Sequence, residues 1–479
     1  MKLGEILKEI EYKECTSFCD TQIDGLCFDS GKLKKGDLFF CFAGERYDSH
    51  DYAKEVEKNG ASAIVCERTL NVSIPQIVVE NSRSYMSKIA RIFYGYPDKK
   101  LKIVGVTGTN GKTTTTYMLD SIFKAAGKKC GIVGTLGISY ADKFISPELT
   151  TPDPIFLHSI FFDMVKWGVE YVFMEVSAHS LYYEKVEGIR FDVGIFTNCT
   201  QDHLDFFKNM QAYADCKRKM FKAGRCKYAV INSDDKLGVE LLSESLGSIS
   251  YGIENPADVF AVNIVESLNG STFVINLFDE LYDITLNLCA RHNVYNAMGA
   301  AAAARLLGIS TEYIASGLKA LKGVSGRMER VATYNGAGIF VDFAHTPDGL
   351  EKSLTALRPL CKGKLYCLFG CGGNRDKTKR PIMGKIAANC SDFCIITSDN
   401  PRYEDPYDII AEIEKGIKPT GKPYVCITSR ESATEYALKL VQQGDILLVA
   451  GKGGECYQEI TGIKHSYNDN IVIKKIIGC

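Results

Sequence analysis

Along this chain, short continuous apolar runs alternate with stretches in which apolar residues recur every third or fourth position, the patterns of buried strands and of amphipathic helices. Leu3, Ile6, Leu7 and Ile10 make one helical face at the N-terminus, and Asp37–Phe42, Ala63–Cys66 and Gln76–Val79 are strand-like runs after it. Gly95-Tyr-Pro-Asp-Lys-Lys100 is a turn-rich hinge. From Leu101 to about residue 328 strands and helices alternate, the rhythm of a parallel sheet. From about residue 329 a second alternation begins, with Ile339–Asp348 read as strand then loop and strands predicted at Lys364–Phe369, Asp392–Thr397 and Asp445–Ala450. The fold class is therefore α/β in three domains: a smaller α/β domain over 1–99, a central phosphate-loop domain with a parallel sheet over 100–328, and a Rossmann-like α/β domain over 329–479. A chain of 479 residues needs several cores, since single cores rarely grow past about 250 residues.

Charge and composition narrow the partners. With 57 basic and 58 acidic residues no global field favours nucleic acid or an anionic membrane, so a nucleotide partner is expected to be a small ligand. The N-terminus carries charges between its apolar residues and is no signal peptide, and no apolar run approaches membrane-spanning length. The 18 cysteines, spaced as in Cys15–Cys19, Cys367–Cys371 and Cys390–Cys394, include no C-x-x-C pair, so they are expected to be reduced core residues of a cytoplasmic protein.

The segment 101–116, LKIVGVTGTNGKTTTT, reads as strand, loop and helix, with Met118, Ile122 and Ala125 on one helical face and Gly127 as its stop. This is a phosphate cradle. Gly108 and Gly111, with Thr109 and Asn110 between them, let backbone N–H groups approach a phosphate; Lys112 neutralises its charge; Thr113, followed by Thr114, can hold Mg²⁺. The spacing G-x-x-x-x-G-K-[ST] is incomplete, because Val106 stands where its first glycine belongs.

Other stretches carry chemistry around it. Glu175 ends the apolar run Tyr171–Met174, with Ser177 and His179 just beyond, where a phosphate loop needs a Mg²⁺ ligand. His179, His203 and His345, three of the seven histidines, each follow a strand. Thr150-Thr151-Pro152-Asp153 opens a helix and suits capping or a diphosphate; Asn293, with Asn296 after it, suits the N-cap of an alanine-rich helix. Arg327 is placed to reach a phosphate from a domain edge, and Lys217 reads as a charge on a solvated helix face. In the last third, four strands each run into a Gly-rich or charged loop, which gathers those loops at the carboxyl edge of a sheet. Arg380 and Arg402 there suit carboxylates, and Asp399 and Glu455 suit ammonium groups, so a zwitterion is the expected ligand, with Asn400 and Gly451 in the same loops.

Taken in order, DSG and GDLFFCFAG, TGTNGKTTT, TTPD, MEVSAH, TNCTQDHLDFF, the lysine of YADCK, GRME, VDFAHTPD, FGCGGNRDKTKRP, SDNPR and AGKGGE resemble the Mur ligase family, whose members join amino acids to a cell-wall nucleotide precursor with ATP. The resemblance implies that Ser30, Thr150, Thr151 and Ser177 hold the sugar nucleotide. It implies that Asn293, Asn296, Arg327, Asp342 and His345 contact ATP, and that Lys112, Glu175, His203 and Lys217 are catalytic. Lys217 would carry CO₂ as a carbamate and join Thr113, Glu175 and His179 at Mg²⁺, because a carbamate offers anionic oxygens where an ammonium repels the metal. The likeness is greatest to members that add the third residue of the peptide stem, and DNPR at 399–402 resembles the version that adds meso-diaminopimelate, in which Arg402 pairs with the second carboxylate that lysine lacks. A cytoplasmic, monomeric enzyme acting on UDP-N-acetylmuramoyl-L-alanyl-D-glutamate is implied.

The chain departs from the family pattern at Ala178, Phe343, Asn374 and Gly454, and at Ala290 and His292. None of these removes a proposed metal or phosphate ligand; two lie in the loops expected to touch the amino acid. Three alternatives stay open: a lysine-adding ligase, a paralogue using another amino acid, and a nucleotide-binding protein without catalysis.

Overall fold

The computed structural model describes residues 1–16, 20–44, 47–146, 149–244 and 247–478, so Cys19 of the Cys15–Cys19 spacing lies outside the described residues. Two compact units account for the chain: Met1–Gly105 with Lys129–Gly194 and Lys219–Lys227, and Val106–Lys128 with Ile195–Arg218 and Tyr228–Cys479. The chain passes from one to the other inside the strands Lys102–Thr107 and Phe191–Phe196.

In the first unit, a five-stranded sheet has the order Glu14–Cys15, Gln76–Val78, Ala63–Cys66, Asp37–Phe40, Gly25–Cys27, parallel except at the Glu14–Cys15 edge. Its strands read as unbroken apolar runs because both faces are covered. Leu38, Phe40, Ala63, Val65 and Ile77 pack with Leu3, Ile6, Met86 and Ile89, whereas Phe39, Ile64, Cys66 and Val78 pack with Ala53 and Val56. The N-terminal helix is Leu3–Leu7, ending before the apolar face at Ile10 does. The same unit holds the parallel pair Cys130–Gly134 and Tyr171–Glu175, extended by the antiparallel strands Gly137–Tyr140 and Lys143–Ile145.

In the second unit, the helix Lys112–Ala125 packs on Arg291–Leu306 and Thr311–Ala320. Cys226–Asn232, Ile249–Gly252 and Val259–Ser267 run parallel, and then the sheet turns antiparallel through Gly270–Leu277 and Glu280–Leu286. The central region thus adds antiparallel strands to the parallel ones that the alternation predicts. A six-stranded sheet follows in the order Glu329–Tyr334, Ala337–Asp342, Ile446–Ala450, Leu365–Phe369, Phe393–Ile396, Tyr424–Cys426, parallel except for its first strand. Its pleat sends Phe340, Cys367, Phe369, Ile396 and Leu448 against the helices Pro347–Leu357, Lys379–Cys390 and Pro406–Ile417, and Ile339, Leu368, Ile395 and Val449 against Arg430–Leu440 and Asp469–Ile477. Asp342 aligns with Ala450, Leu368 with Val449, and Phe369 with Ile396, so the loops that follow these four strands leave from one edge.

Candidate active site

The phosphate loop is built by close approach. A Cβ on Gly108 would lie 1.9 Å from Thr197 Oγ1, and one on Gly111, which sits at φ +89°, would lie 2.4 Å from Asn296 Oδ1. Glycine is needed at both places for space, and at Gly111 for backbone conformation as well. The end of the Phe196 strand clasps the loop: Thr197 Oγ1 donates to Asn110 O at 2.6 Å, Asn110 N donates to Asn198 Oδ1 at 2.9 Å, and Thr109 Oγ1 donates to Thr200 O at 3.1 Å. Lys112 Nζ donates to the carbonyls of Gly108 and Thr109 at 2.8 and 2.9 Å. Arg327 Nη2 donates to Thr113 Oγ1 at 3.0 Å, and Thr114 is buried in the first helical turn.

Lys217 is not on a solvated face. It is fully buried, its ammonium lies 3.7 Å from the centre of the Tyr213 ring, and Nζ has no hydrogen-bond partner. Burial, with the Lys112 charge adding to it, lowers its pKa to about 7. His203, in the left-handed region at φ +54°, pairs with Asp202 at 3.3 Å; desolvation lowers its pKa, and the nearby His345, Lys112 and Lys217 act in the same direction.

Asn293 is not the N-cap either: the helix Arg291–Leu306 is capped at Ala290, at φ +79°, and Asn293 Nδ2 instead donates to Cys289 O at 2.7 Å. Asn296 Nδ2 donates to Asn293 Oδ1 at 3.2 Å, which fixes the amide oxygen of Asn296 against Gly111.

At the carboxyl edge of the six-stranded sheet the predicted residues divide. Asp342 is spent internally, its carboxylate accepting from Met328 N, Ala344 N and Ser353 Oγ. His345 Nδ1 lies 2.8 Å from Phe343 O, desolvation lowers its pKa, and Lys379 Nζ donates to its carbonyl. Arg380 was expected to meet a carboxylate ligand, but it is fully buried and bonded to Glu404 and Glu412 at 2.9 and 2.8 Å, so it is a framework residue. Asn400 is committed as well: its amide oxygen accepts from Lys452 Nζ and Glu459 N, and its Nδ2 donates to Glu455. Asp399 keeps Oδ2 unpartnered, 2.8 Å from where a Gly451 Cβ would be and 4.0 Å from Arg430 Nη1.

Arg402, at φ +53°, donates from Nη1 to Gly373 O at 2.8 Å and pairs through Nε with Glu459 at 3.2 Å. It lines a cleft of about 690 Å³ with Glu404, Asp405, Arg430, Glu431 and Gln458.

Two further residues stand here whose roles the sequence does not display. Asp348 Oδ2 accepts from Asn110 Nδ2 at 3.1 Å and Thr200 Oγ1 at 2.9 Å, joining the third-domain loop to the phosphate loop; the VDFAHTPD motif contains it but gives no sign of that reach. Arg375 is exposed and lies, like Arg402, against Gly372, a better-placed arginine than Arg380 in the same run of sequence.

In the first unit, Glu175 is buried and its two oxygens accept from Thr135 N and Thr135 Oγ1 at 2.8 and 3.0 Å. Thr151 does not cap the helix Pro154–Lys166, whose N-cap is Asp153. Its hydroxyl donates to Glu175 O at 2.8 Å and accepts from Ser177 N at 3.1 Å, while Thr150 Oγ1 lies 3.1 Å from Thr135 Oγ1. Thr150, Thr151 and Ser177 are thereby brought to the end of the Glu175 strand, with His179 one turn on in the helix Ala178–Tyr182. Ser30 is exposed at the start of a 3₁₀ turn capped by Asp29. Among the described residues no three His, Cys, Asp or Glu side chains form a ready-made metal site, and no helix is long and apolar enough to cross a membrane.

Comparison with known proteins covers the same ground. Residues 22–94 match the Mur ligase family catalytic domain, 106–304 the Mur ligase middle domain, and 326–453 the Mur ligase glutamate ligase domain. The chain is 42% identical over 480 residues to a UDP-N-acetylmuramoyl-L-alanyl-D-glutamate--2,6-diaminopimelate ligase of Caldanaerobacter subterraneus subsp. tengcongensis, covering 100% of this chain and 99% of that one. It is 42% identical over 488 residues, with the same coverage, to the ligase of that name from Clostridium botulinum. A solved structure of a ligase of the same name superposes with a TM-score of 0.72 at 30% identity, over 100% of this chain and 99% of the other.

Proposed function

Because the chain belongs to the Mur ligase family, we propose that it is the ATP-dependent ligase adding meso-2,6-diaminopimelate to UDP-N-acetylmuramoyl-L-alanyl-D-glutamate in peptidoglycan precursor synthesis, acting as a cytoplasmic monomer. The observation that carries the reading is 42% identity, from end to end, with relatives that bear that name.

The chemistry asked of the residues is specific. The substrate carboxylate takes the γ-phosphoryl group of ATP, giving an acyl phosphate and ADP. The amine of the incoming amino acid then attacks the acyl carbon, phosphate leaves, and an amide remains. Two anions must meet in the first step, so neutralising charge is the main demand. Lys112 and the loop amides 111–113 supply it, Lys112 exchanging the carbonyls of its own loop for phosphate oxygens.

Mg²⁺, when bound, supplies further positive charge at the phosphates. By the family resemblance Thr113, Glu175 and His179 would hold it, an ion that takes one or two carboxylates and completes its shell with phosphate and water. Lys217 fits the carbamate role: a buried amine with no partner and a pKa near 7 is substantially neutral, the form that adds CO₂. For the acceptor, Arg402 suits the second carboxylate and the Asp399 carboxylate suits an ammonium.

The test is mass spectrometry of the product formed from ATP, Mg²⁺, the dipeptide nucleotide and diaminopimelate. A nucleotide heavier by one diaminopimelate less one water is expected; no such product would refute the reading. Lysine addition is the second reading, favoured by Glu404, Asp405 and Glu431 on the Arg402 cleft, and it would give the corresponding lysine adduct instead.

A further inference from the structure

Arg402 is a long, flexible side chain asked to meet a carboxylate at a fixed place, and a free guanidinium would give up about 2 kcal/mol of rotamer freedom in doing so. In this protein it is already fixed. The hairpin of Tyr457–Ile460 and Ile463–Ser466 lies along residues 398–402: Arg402 N donates to Glu459 O at 3.0 Å, and Thr461 N donates to Arg402 O at 2.6 Å. Gln458 Nε2 donates to Asp399 O at 2.7 Å, and Glu459 N donates to Asn400 Oδ1 at 2.9 Å. These bonds hold Arg402 in the left-handed region, at φ +53°, a conformation that costs a non-glycine residue of order 1 kcal/mol or more. The side chain is then fixed at two points, Nε on the Glu459 carboxylate at 3.2 Å and Nη1 on Gly373 O at 2.8 Å. An arginine has five N–H donors. One, on Nη1, is hydrogen-bonded here, Nε is ion-paired with Glu459, and the residue lines a cleft of about 690 Å³.

We propose that Glu459 is a positioning residue for the acceptor amino acid: its carboxylate aims Arg402, and so it sets the preference for a side chain that ends in a carboxylate. The inference rests on the proposed function and deepens it. The Glu459 side chain is about one-fifth exposed, and its ion pair is with Arg402. Losing it would leave the arginine present but unaimed, which weakens binding of the one group that distinguishes diaminopimelate from lysine.

Steady-state phosphate release by the full chain, with ATP, Mg²⁺ and the dipeptide nucleotide, tests this. E459A is expected to raise the KM for diaminopimelate about tenfold, the effect of losing one charge-assisted bond, with less than about twofold change in kcat and in the KM for ATP. E459Q, which keeps an oxygen of the same reach beside Nε, is expected to restore that KM to within about threefold of wild type. Should E459A not fold, E459D carries the test: the shorter reach is expected to raise the KM for diaminopimelate several-fold while leaving that for ATP. An unaltered KM for diaminopimelate, or KM values for ATP and nucleotide rising in step with it, would overturn the inference. A wild-type protein inert toward diaminopimelate would overturn the functional reading itself and the inference with it.

Discussion

Lys112 bonds the carbonyls of Gly108 and Thr109, so its charge already stands at the mouth of the loop. Replacing it with alanine removes the one cation that the loop itself carries, and amino-acid-dependent ADP release is expected to fall at least about a hundredfold, the scale of losing a main electrostatic contact; a coupled ADP assay checks it. Arg380 and Arg402 need different treatment, although both are arginines in charged loops. Arg380→Ala is expected to destabilise the fold by about 3 kcal/mol, because it strands Glu412 and takes from Glu404 its buried partner. Arg380 holds the Glu404 carboxyl down to about 2. A depressed carboxyl adds stability that is present above its unfolded value, about 4.3, and is lost as pH falls towards 2. The gap between wild type and variant in urea melts should therefore close over that window. Sequence could not separate the two arginines: what covers Arg380 comes from Glu404 and Glu412, far along the chain. Lys217 misled because a lysine on a helix reads as solvated until its burial, with Nζ against the Tyr213 ring, is seen.

Elements were legible where periodicity and burial agreed. The strands ending at Phe369, Ile396 and Ala450 were predicted within a residue or so, because each is a continuous apolar run covered on both faces. The antiparallel strands Val259–Ser267, Gly270–Leu277 and Glu280–Leu286 were not, since partly exposed strands mix polar and apolar positions that suggest no particular partner. The hairpin at 457–466 was hidden likewise, its second strand being exposed throughout. Contacts between elements are the other gap. Asp348, at the start of the helix Pro347–Leu357, joins that helix to the phosphate loop through Asn110 and Thr200. Asp348→Ala is expected to lower kcat about tenfold, while Asp348→Asn, which keeps an accepting oxygen, retains most of it; equal losses in both would show that charge, not the hydrogen bonds, matters.

Over the whole molecule, the order of motifs carried the family, and the departures at Asn374 and Gly454 left the amino acid as the open choice. Asn374 sits at φ +52°, a conformation that asparagine tolerates well, and its Oδ1 accepts from Tyr403 N, so its loop is built soundly beside Arg402. The central claim is that this loop and its arginine select a diamino acid with two carboxylates. The most direct measurement is kcat/KM for diaminopimelate and for lysine, by phosphate release, in the wild type and in Arg402→Ala. The account expects the wild type to favour diaminopimelate by at least about a hundredfold, and the variant to lose most of that preference through its KM for diaminopimelate. Equal use of the two amino acids by the wild type, or a preference that survives loss of Arg402, would contradict it.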